Sequence, residues 1–120
     1  MKFISPKIHG IIDYLAVVFL LVSPYFFGFT GTLAIFTYAL GAVHLLLSAF
    51  TDYPLGIIKA IPPTVHATVE ALVAVVLIVL AYTLFNHDAD GKLFYVIFGT
   101  VVLLTWLVTD YKGTKTAAAS

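Results

Sequence analysis

The sequence predicts an all-α integral membrane protein, a four-helix bundle built from two tandem two-helix repeats. Its composition is 62% hydrophobic and only 10% charged, with a mean hydropathy of +1.08, which leaves too few charged side chains to cover a soluble domain of this size. Four apolar stretches each approach the ~20 residues that a bilayer core requires. A polar block also occurs twice, each time at the start of a long apolar run.

The first predicted helix covers residues 8–27 and is expected to be retained as a membrane span. Lys2 and Lys7 precede it, as in a signal peptide, but Asp13 interrupts the apolar run. Residues 23–26, Ser-Pro-Tyr-Phe, also make a poor small-residue cleavage site. Further spans are predicted over residues 33–50, 65–85 and 93–109.

The connections between the helices have compositions that suit their predicted positions. Pro6 and Pro63 are predicted just before the first and third helices, where a missing N–H costs nothing. Segments 28–31 and 86–91 predict tight turns, whereas segment 53–59 is apolar enough to lie along the cytoplasmic interface. Residues 114–120 are predicted to be a disordered polar tail. Eight aromatic residues are expected to form a belt at the opposite interface: Tyr25, Phe26, Phe27, Phe29, Tyr82, Phe85, Phe94 and Tyr95.

The repeated block has the pattern K-x-I-[SP]-P-x-x-H-x-x-x-[DE]. It begins at Lys2 and again at Lys59, and further along each half Gly41 recurs as Gly99 and the Thr-Asp-Tyr sequence at 51–53 recurs at 109–111. We therefore predict one domain over residues 1–113, with repeat 1 at 2–56 and repeat 2 at 59–113. Because each repeat has two spans, the repeats are parallel, which predicts a pseudo-two-fold axis along the membrane normal.

Five ionisable side chains are predicted to lie inside the membrane near its cytoplasmic face. The i, i+4 spacing places a histidine and a carboxylate on one face of both the first and the third helix. At 1.5 Å per residue, both carboxylates lie roughly 10 Å below the same boundary, and the predicted axis would bring them toward each other. Helix two adds a histidine on a stripe with Thr37, Gly41 and Ser48, and the corresponding stripe on helix four is Tyr95, Gly99, Val102, Trp106 and Thr109. The candidate site residues are His9, Asp13, His44, His66 and Glu70.

Three interpretations of this polar layer are compatible with the sequence. In the first, the side chains satisfy one another and fix the register of the helices, since interhelical polar contacts act as modest glue in membranes. In the second, the five side chains bind a divalent transition metal, because three histidines and two carboxylates suit Zn, Fe, Mn or Cu. In the third, they relay protons or ions, a usual function of intramembrane carboxylates and histidines.

No enzyme motif accompanies the layer. The sequence has no nucleophile elbow or triad spacing, and no glycine-rich phosphate loop. It also lacks cysteine, which excludes a thiol nucleophile and thiolate metal ligands. We therefore expect a non-enzymatic structural or accessory subunit, with a metal-binding or proton- or ion-handling module as the alternative. A chain of 13.0 kDa has little room for a transport pathway by itself, so a homo-oligomer or a larger membrane complex is expected for such a role.

The lysines predict how the chain is oriented. Net charge is zero with histidine neutral, and there is no basic run, which excludes nucleic acid as an expected partner. One side of the membrane is predicted to hold five lysines and the other side one. By the positive-inside rule, both termini are expected in the cytoplasm, with the protein in a bacterial inner membrane. The five are Lys2, Lys7, Lys59, Lys112 and Lys115, and the one is Lys92.

One short motif resembles a known family. Ser23-Pro24-Tyr25, followed by Phe26-Phe27-Gly28-Phe29, is similar to the S-P-W signature of the SPW-repeat family of small bacterial membrane proteins. The resemblance implies two transmembrane helices per repeat, with the motif in the first. This chain has Tyr25 in place of tryptophan, and its second half has Leu80-Ala81-Tyr82 in place of the motif. The resemblance implies a fold and carries no catalytic residue over.

Overall fold

The computed structural model describes residues 2–111 and has four α-helices within them. They are α1 (Pro6–Phe27), α2 (Gly31–Ala49), α3 (Pro63–Tyr82) and α4 (Ala89–Val108). Residues 2–111 contain isolated β-bridges but no β-strand, so the predicted all-α class is confirmed. The predicted tail at 114–120 lies outside the described residues.

Each of the four helices is long and apolar enough to cross a bilayer. Most of their side chains are on the outside, because at most 33% of the apolar 18-residue segment of any helix is buried. In water such extensive exposed hydrocarbon would cause association, whereas lipid tails are themselves apolar and can cover it. These properties identify an integral membrane protein.

Two of the helices begin at a proline. The prediction that Pro6 and Pro63 lie just before their helices is wrong, because each is the first helical residue and both helices begin two residues earlier than predicted. At that position the fixed φ of proline suits the helix, and its missing N–H would have had no helical partner.

The turn between α3 and α4 is shorter on the α4 side than predicted. α4 begins at Ala89 rather than at residue 93, and α3 ends at Tyr82 rather than at residue 85. The cause of the early start is Asp88, whose carboxylate accepts a hydrogen bond from the Gly91 N–H at 3.1 Å and caps the helix. Sequence reasoning treated these polar residues as a solvated turn and overlooked the cap.

The chain divides into two compact units, of which the first is Pro6–Pro63 and is called here the first hairpin unit. It contains α1, α2 and the segment that follows them. The two helices approach closely at Gly41, where a methyl group would lie 2.8 Å from Leu21 Cδ2. The absence of a side chain at this position therefore sets the distance between the helices.

The segment after α2 folds back over the end of that helix. The Ile57 and Ile58 N–H groups donate to the Ala49 carbonyl at 2.7 and 2.9 Å, and the Ile61 N–H donates to the Phe50 carbonyl at 2.8 Å. These bonds satisfy carbonyl groups that a helix otherwise leaves open at its C-terminal end. Satisfying them internally matters near a bilayer, where lipid offers no replacement donors.

The second compact unit, called here the second hairpin unit, consists of described residues 2–5 and 64–111. α3 and α4 approach closely at Gly99, where a methyl group would lie 2.8 Å from Ile78 Cγ1 and 3.1 Å from the Ala74 carbonyl oxygen. The first residues of the chain pair with the end of α4. The Phe3 and Ile4 N–H groups both donate to the Val108 carbonyl, at 2.9 and 3.0 Å.

The ends of α2 and α4 are held by the same backbone contacts. The Ile61 carbonyl accepts from the Asp52 N–H at 2.7 Å, and the Ile4 carbonyl accepts from the Asp110 N–H at 2.9 Å. Ile4 and Ile61 occupy the same position of the repeated block, and the two aspartates occupy the same position of the repeated Thr-Asp-Tyr sequence. These contacts do not test the pseudo-two-fold axis or the repeat boundaries, which stay predictions.

The predicted aromatic belt is only partly on the surface. Tyr25, Phe26, Phe27 and Tyr82 are exposed, whereas Phe29, Phe85 and Tyr95 are buried. Phe85 and Tyr95 stack inside the second hairpin unit with ring centroids 5.5 Å apart. Tyr95 instead belongs to the predicted stripe of α4, where Gly99 and Thr109 are also buried. On the predicted stripe of α2, Thr37, Gly41 and Ser48 are buried.

Candidate functional site

The buried stripe of α1 begins with a histidine and a carboxylate. His9 and Asp13 lie one helical turn apart and are followed on the same face by Val17 and Leu20. His9 Nε2 is 3.2 Å from Asp13 Oδ1, and the two side chains are 1% and 2% exposed. Burial to this extent requires polar partners, because an unpaired ionisable group in an apolar environment is strongly destabilising.

A second histidine approaches the same carboxylate oxygen from α2. His44 Nε2 lies 3.6 Å from Asp13 Oδ1, slightly beyond hydrogen-bonding distance. The His44 side chain is 15% exposed, more than either His9 or Asp13. Two imidazole nitrogens from two helices are thus directed at one oxygen atom inside the first hairpin unit.

The other oxygen of Asp13 is bound by a tyrosine from the segment after α2. The Tyr53 hydroxyl donates to Asp13 Oδ2 at 3.3 Å. Burial, followed by the nearby Asp13 carboxylate, raises the pKa of Tyr53 above its ordinary value, so its hydroxyl keeps the proton that it donates. Asp13 therefore receives contacts from three segments of the first hairpin unit.

A glycine on α1 makes room for this segment. A methyl group on Gly10 would lie 3.1 Å from the Tyr53 ring and 3.1 Å from the Leu55 side chain. Tyr14, one helical turn further along α1, donates its hydroxyl hydrogen to the Leu55 carbonyl at 2.9 Å. The segment is therefore held against α1 by packing at Gly10 and by two hydrogen bonds, from Tyr53 to Asp13 and from Tyr14 to Leu55.

The second hairpin unit contains a similar group of side chains. His66 Nε2 is 3.0 Å from Glu70 Oε2, and the Tyr111 hydroxyl donates to the same oxygen at 3.2 Å. His66 is 1% exposed and Glu70 is 5% exposed. Val102 occupies the position that corresponds to His44, so the group around Glu70 has one histidine fewer than the group around Asp13.

The structure distributes the five predicted site residues over the two units. His9, Asp13 and His44 come together in the first, and His66 and Glu70 in the second. Sequence reasoning missed both tyrosines. The available signal was the Thr-Asp-Tyr sequence that occurs at 51–53 and again at 109–111, which served only to define the repeats.

Comparison with known proteins gives no match: no family model, no curated protein and no solved structure matches this chain. Its function is therefore inferred from its own side chains. A buried carboxylate with imidazole and phenol partners can stabilise a fold, hold a divalent metal or exchange protons. The residues around each carboxylate decide between these roles.

Proposed function

We propose that this protein is a non-enzymatic membrane subunit, structural or accessory, whose two His–carboxylate–Tyr groups fix the form of its helical hairpins. One observation supports this most strongly. In each unit, a tyrosine that follows the second helix binds the carboxylate of the first helix: Tyr53 with Asp13, and Tyr111 with Glu70.

The physical reason is that polar groups buried inside a hairpin must be satisfied without help from water. Each tyrosine ties the segment after a helix to a buried carboxylate, and that carboxylate is also in contact with a histidine on its own helix. In a low-dielectric interior such contacts are strengthened, and a missing partner is correspondingly costly. The hairpins would thus be presented to lipid or to a partner in one defined shape.

The apolar exterior supports a role in the bilayer, either in a homo-oligomer or as part of a larger membrane complex. The chain has 120 residues, and its helices expose large apolar side chains along most of their length. Such a surface can be covered by lipid or can pack against the helices of another membrane protein. The resemblance of Ser23-Pro24-Tyr25 to the SPW-repeat signature, which lies in α1 here, favours a small bacterial membrane protein of this kind.

We further propose a bacterial inner membrane as the location, with both termini in the cytoplasm. Lys2 lies before α1, Lys7 lies in the first turn of α1, and Lys59 lies before α3. Lys92 lies in the first turn of α4, at the opposite end of its hairpin. Excess lysine on one side predicts that side to be cytoplasmic.

This orientation can be tested directly because the chain has no cysteine of its own. A single cysteine at residue 89 should react with a membrane-impermeant maleimide added to intact cells, and one at residue 115 should react only after lysis. Both positions lie outside the predicted spans. Labelling of residue 115 but not of residue 89 in intact cells would reverse the orientation.

The structural role predicts that both buried tyrosine hydroxyls contribute to stability. Tyr53→Phe and Tyr111→Phe should each lower the free energy of unfolding by about 1–2 kcal/mol, because each removes a hydrogen bond to a carboxylate. The measurement is SDS-induced unfolding in mixed micelles, followed by far-UV circular dichroism.

Tyr25→Phe is the matched control, since Tyr25 is 80% exposed and should tolerate the change. Equal stability of all three variants and the parent protein would remove the support for the structural role.

A second candidate function is metal binding or proton and ion handling. The observation that favours it is His44, which lies too far from Asp13 for a good hydrogen bond but is directed at its oxygen. A side chain placed in this way contributes little to a hydrogen-bonded core. It is nevertheless suitably placed to share an ion with the carboxylate.

A further inference from the structure

We propose that the first hairpin unit binds one divalent transition-metal ion through His9 Nε2, His44 Nε2 and Asp13 Oδ1, with Tyr53 as the partner that orients Asp13. This inference develops the second candidate function and narrows it to three ligand atoms. It uses side chains that also serve the proposed structural role, so binding and stability must be measured separately.

The distances from Asp13 to the two histidines carry the argument. Nitrogen and oxygen ligands about 2.1 Å from a tetrahedral metal ion lie about 3.4 Å from one another. The distance from Asp13 Oδ1 is 3.2 Å to His9 Nε2 and 3.6 Å to His44 Nε2, on either side of that value. The His9 contact is also within hydrogen-bonding distance, whereas the His44 contact is longer than the ~2.9 Å that a hydrogen bond favours.

The chemistry of the donors agrees with the distances. Two imidazoles and one carboxylate are ligands that Zn²⁺ and other first-row divalent ions accept. Three protein ligands leave a further position for water or for a small external ligand. One carboxylate also offsets part of the charge that a divalent ion would bring into an apolar region.

The second oxygen of the carboxylate accepts a hydrogen bond, as ligating carboxylates commonly do in metal sites. Tyr53 donates to Asp13 Oδ2, which leaves Oδ1 directed at the two histidines. Hydrogen bonds of this kind orient ligands, and their removal typically lowers metal affinity about 10–100-fold. Tyr53 is therefore a positioning residue for the proposed site.

The second hairpin unit lacks this arrangement among its own described residues. It has the histidine and the carboxylate, His66 and Glu70, but valine stands at position 102 where the repeat would place the third donor. Its tyrosine also differs in geometry, because Tyr111 donates to the same oxygen that faces His66. The two hairpin units thus differ at the positions that matter for a metal.

The test uses the full-length protein in detergent, freed of metal with a chelator and titrated with Zn²⁺ by calorimetry and with Co²⁺ by visible absorption. We expect the three donors to bind one ion per chain, with the intense d–d bands of a low-coordinate Co²⁺ complex. His44→Val, which copies the residue at position 102, should lower the affinity at least 100-fold. Tyr53→Phe should lower it about 10-fold.

His87→Gln is the matched control, because His87 is an exposed histidine in the turn between α3 and α4 and should not affect binding. Circular dichroism shows which variants are folded. If His44→Val does not fold, X-ray absorption of the Zn²⁺-loaded parent replaces it and should show two imidazole ligands.

Binding that is absent from the parent, or unchanged in folded His44→Val, would overturn the proposal, as would fewer than two imidazoles around zinc. None of these results would affect the structural role, which depends on the stabilities of the tyrosine variants. Conversely, if those variants have normal stability and the parent protein binds stoichiometric metal, the metal site is supported and the structural role is not.

Discussion

Gly56→Ala is expected to lower the free energy of unfolding by about 3 kcal/mol, the largest effect of alanine at any glycine that the structure describes. A Cβ atom at this position would overlap the Thr51 carbonyl oxygen, which is backbone and cannot move aside as a side chain would. Relief of the overlap would displace the segment after α2. The Ile57 and Ile58 hydrogen bonds to Ala49, which close the end of that helix, would be lost with it.

The measurement is SDS-induced unfolding of parent and variant, with Gly28→Ala as the control. Gly28 has a positive φ of 71° but no atom within 4 Å of its hypothetical Cβ, so alanine there should cost only about 1 kcal/mol. If Gly56→Ala is as stable as Gly28→Ala, the segment after α2 can move to accommodate the added methyl group. That result would contradict the expected overlap with Thr51.

Asp13→Ala is expected to lower the free energy of unfolding by about 3 kcal/mol when measured without metal. The change leaves the Tyr53 hydroxyl and the His9 imidazole without the carboxylate that faces both of them in a buried position. Asp13→Asn should cost less, about 1–2 kcal/mol, because one side-chain oxygen remains to accept a hydrogen bond. A lower stability of Asp13→Ala than of Asp13→Asn would therefore show that the hydrogen-bond acceptor at this position contributes to stability in addition to side-chain packing.

The control is Asp90→Asn, an exposed aspartate in the first turn of α4, whose replacement should change stability by less than about 0.5 kcal/mol. In the second hairpin unit, Glu70→Gln should resemble Asp13→Asn. A more stable Asp13→Asn, Glu70→Gln double variant would show that the buried groups are dispensable for the fold.

The sequence predicted the features that depend on hydrophobic pattern and on repetition. The four spans were predicted within a few residues of α1–α4, because bilayer thickness sets their length and apolar composition marks them. The positions of His9 and Asp13 on one face followed from helical periodicity. The buried stripe of α2 followed from the spacing of its small and polar residues.

The parts that the sequence did not predict depend on contacts between distant positions. Tyr53 binds a carboxylate 40 residues earlier, and Tyr111 binds one 41 residues earlier, in each case after a chain reversal whose form no local pattern specifies. The close fit of Gly56 against Thr51 depends equally on that reversal. The early start of α4 was a local error, since the Asp88 cap was visible in the sequence and was overlooked.

The central claim is that a tyrosine following each hairpin stabilises it through the buried carboxylate of the first helix. A double-mutant cycle of Tyr53→Phe with Asp13→Ala tests it most directly, because the cycle isolates the energy of that one contact. We expect a coupling energy of about 1–2 kcal/mol for this pair, and none for a control cycle that combines Tyr25→Phe with Asp13→Ala. A coupling energy of zero between Tyr53 and Asp13 would contradict the claim.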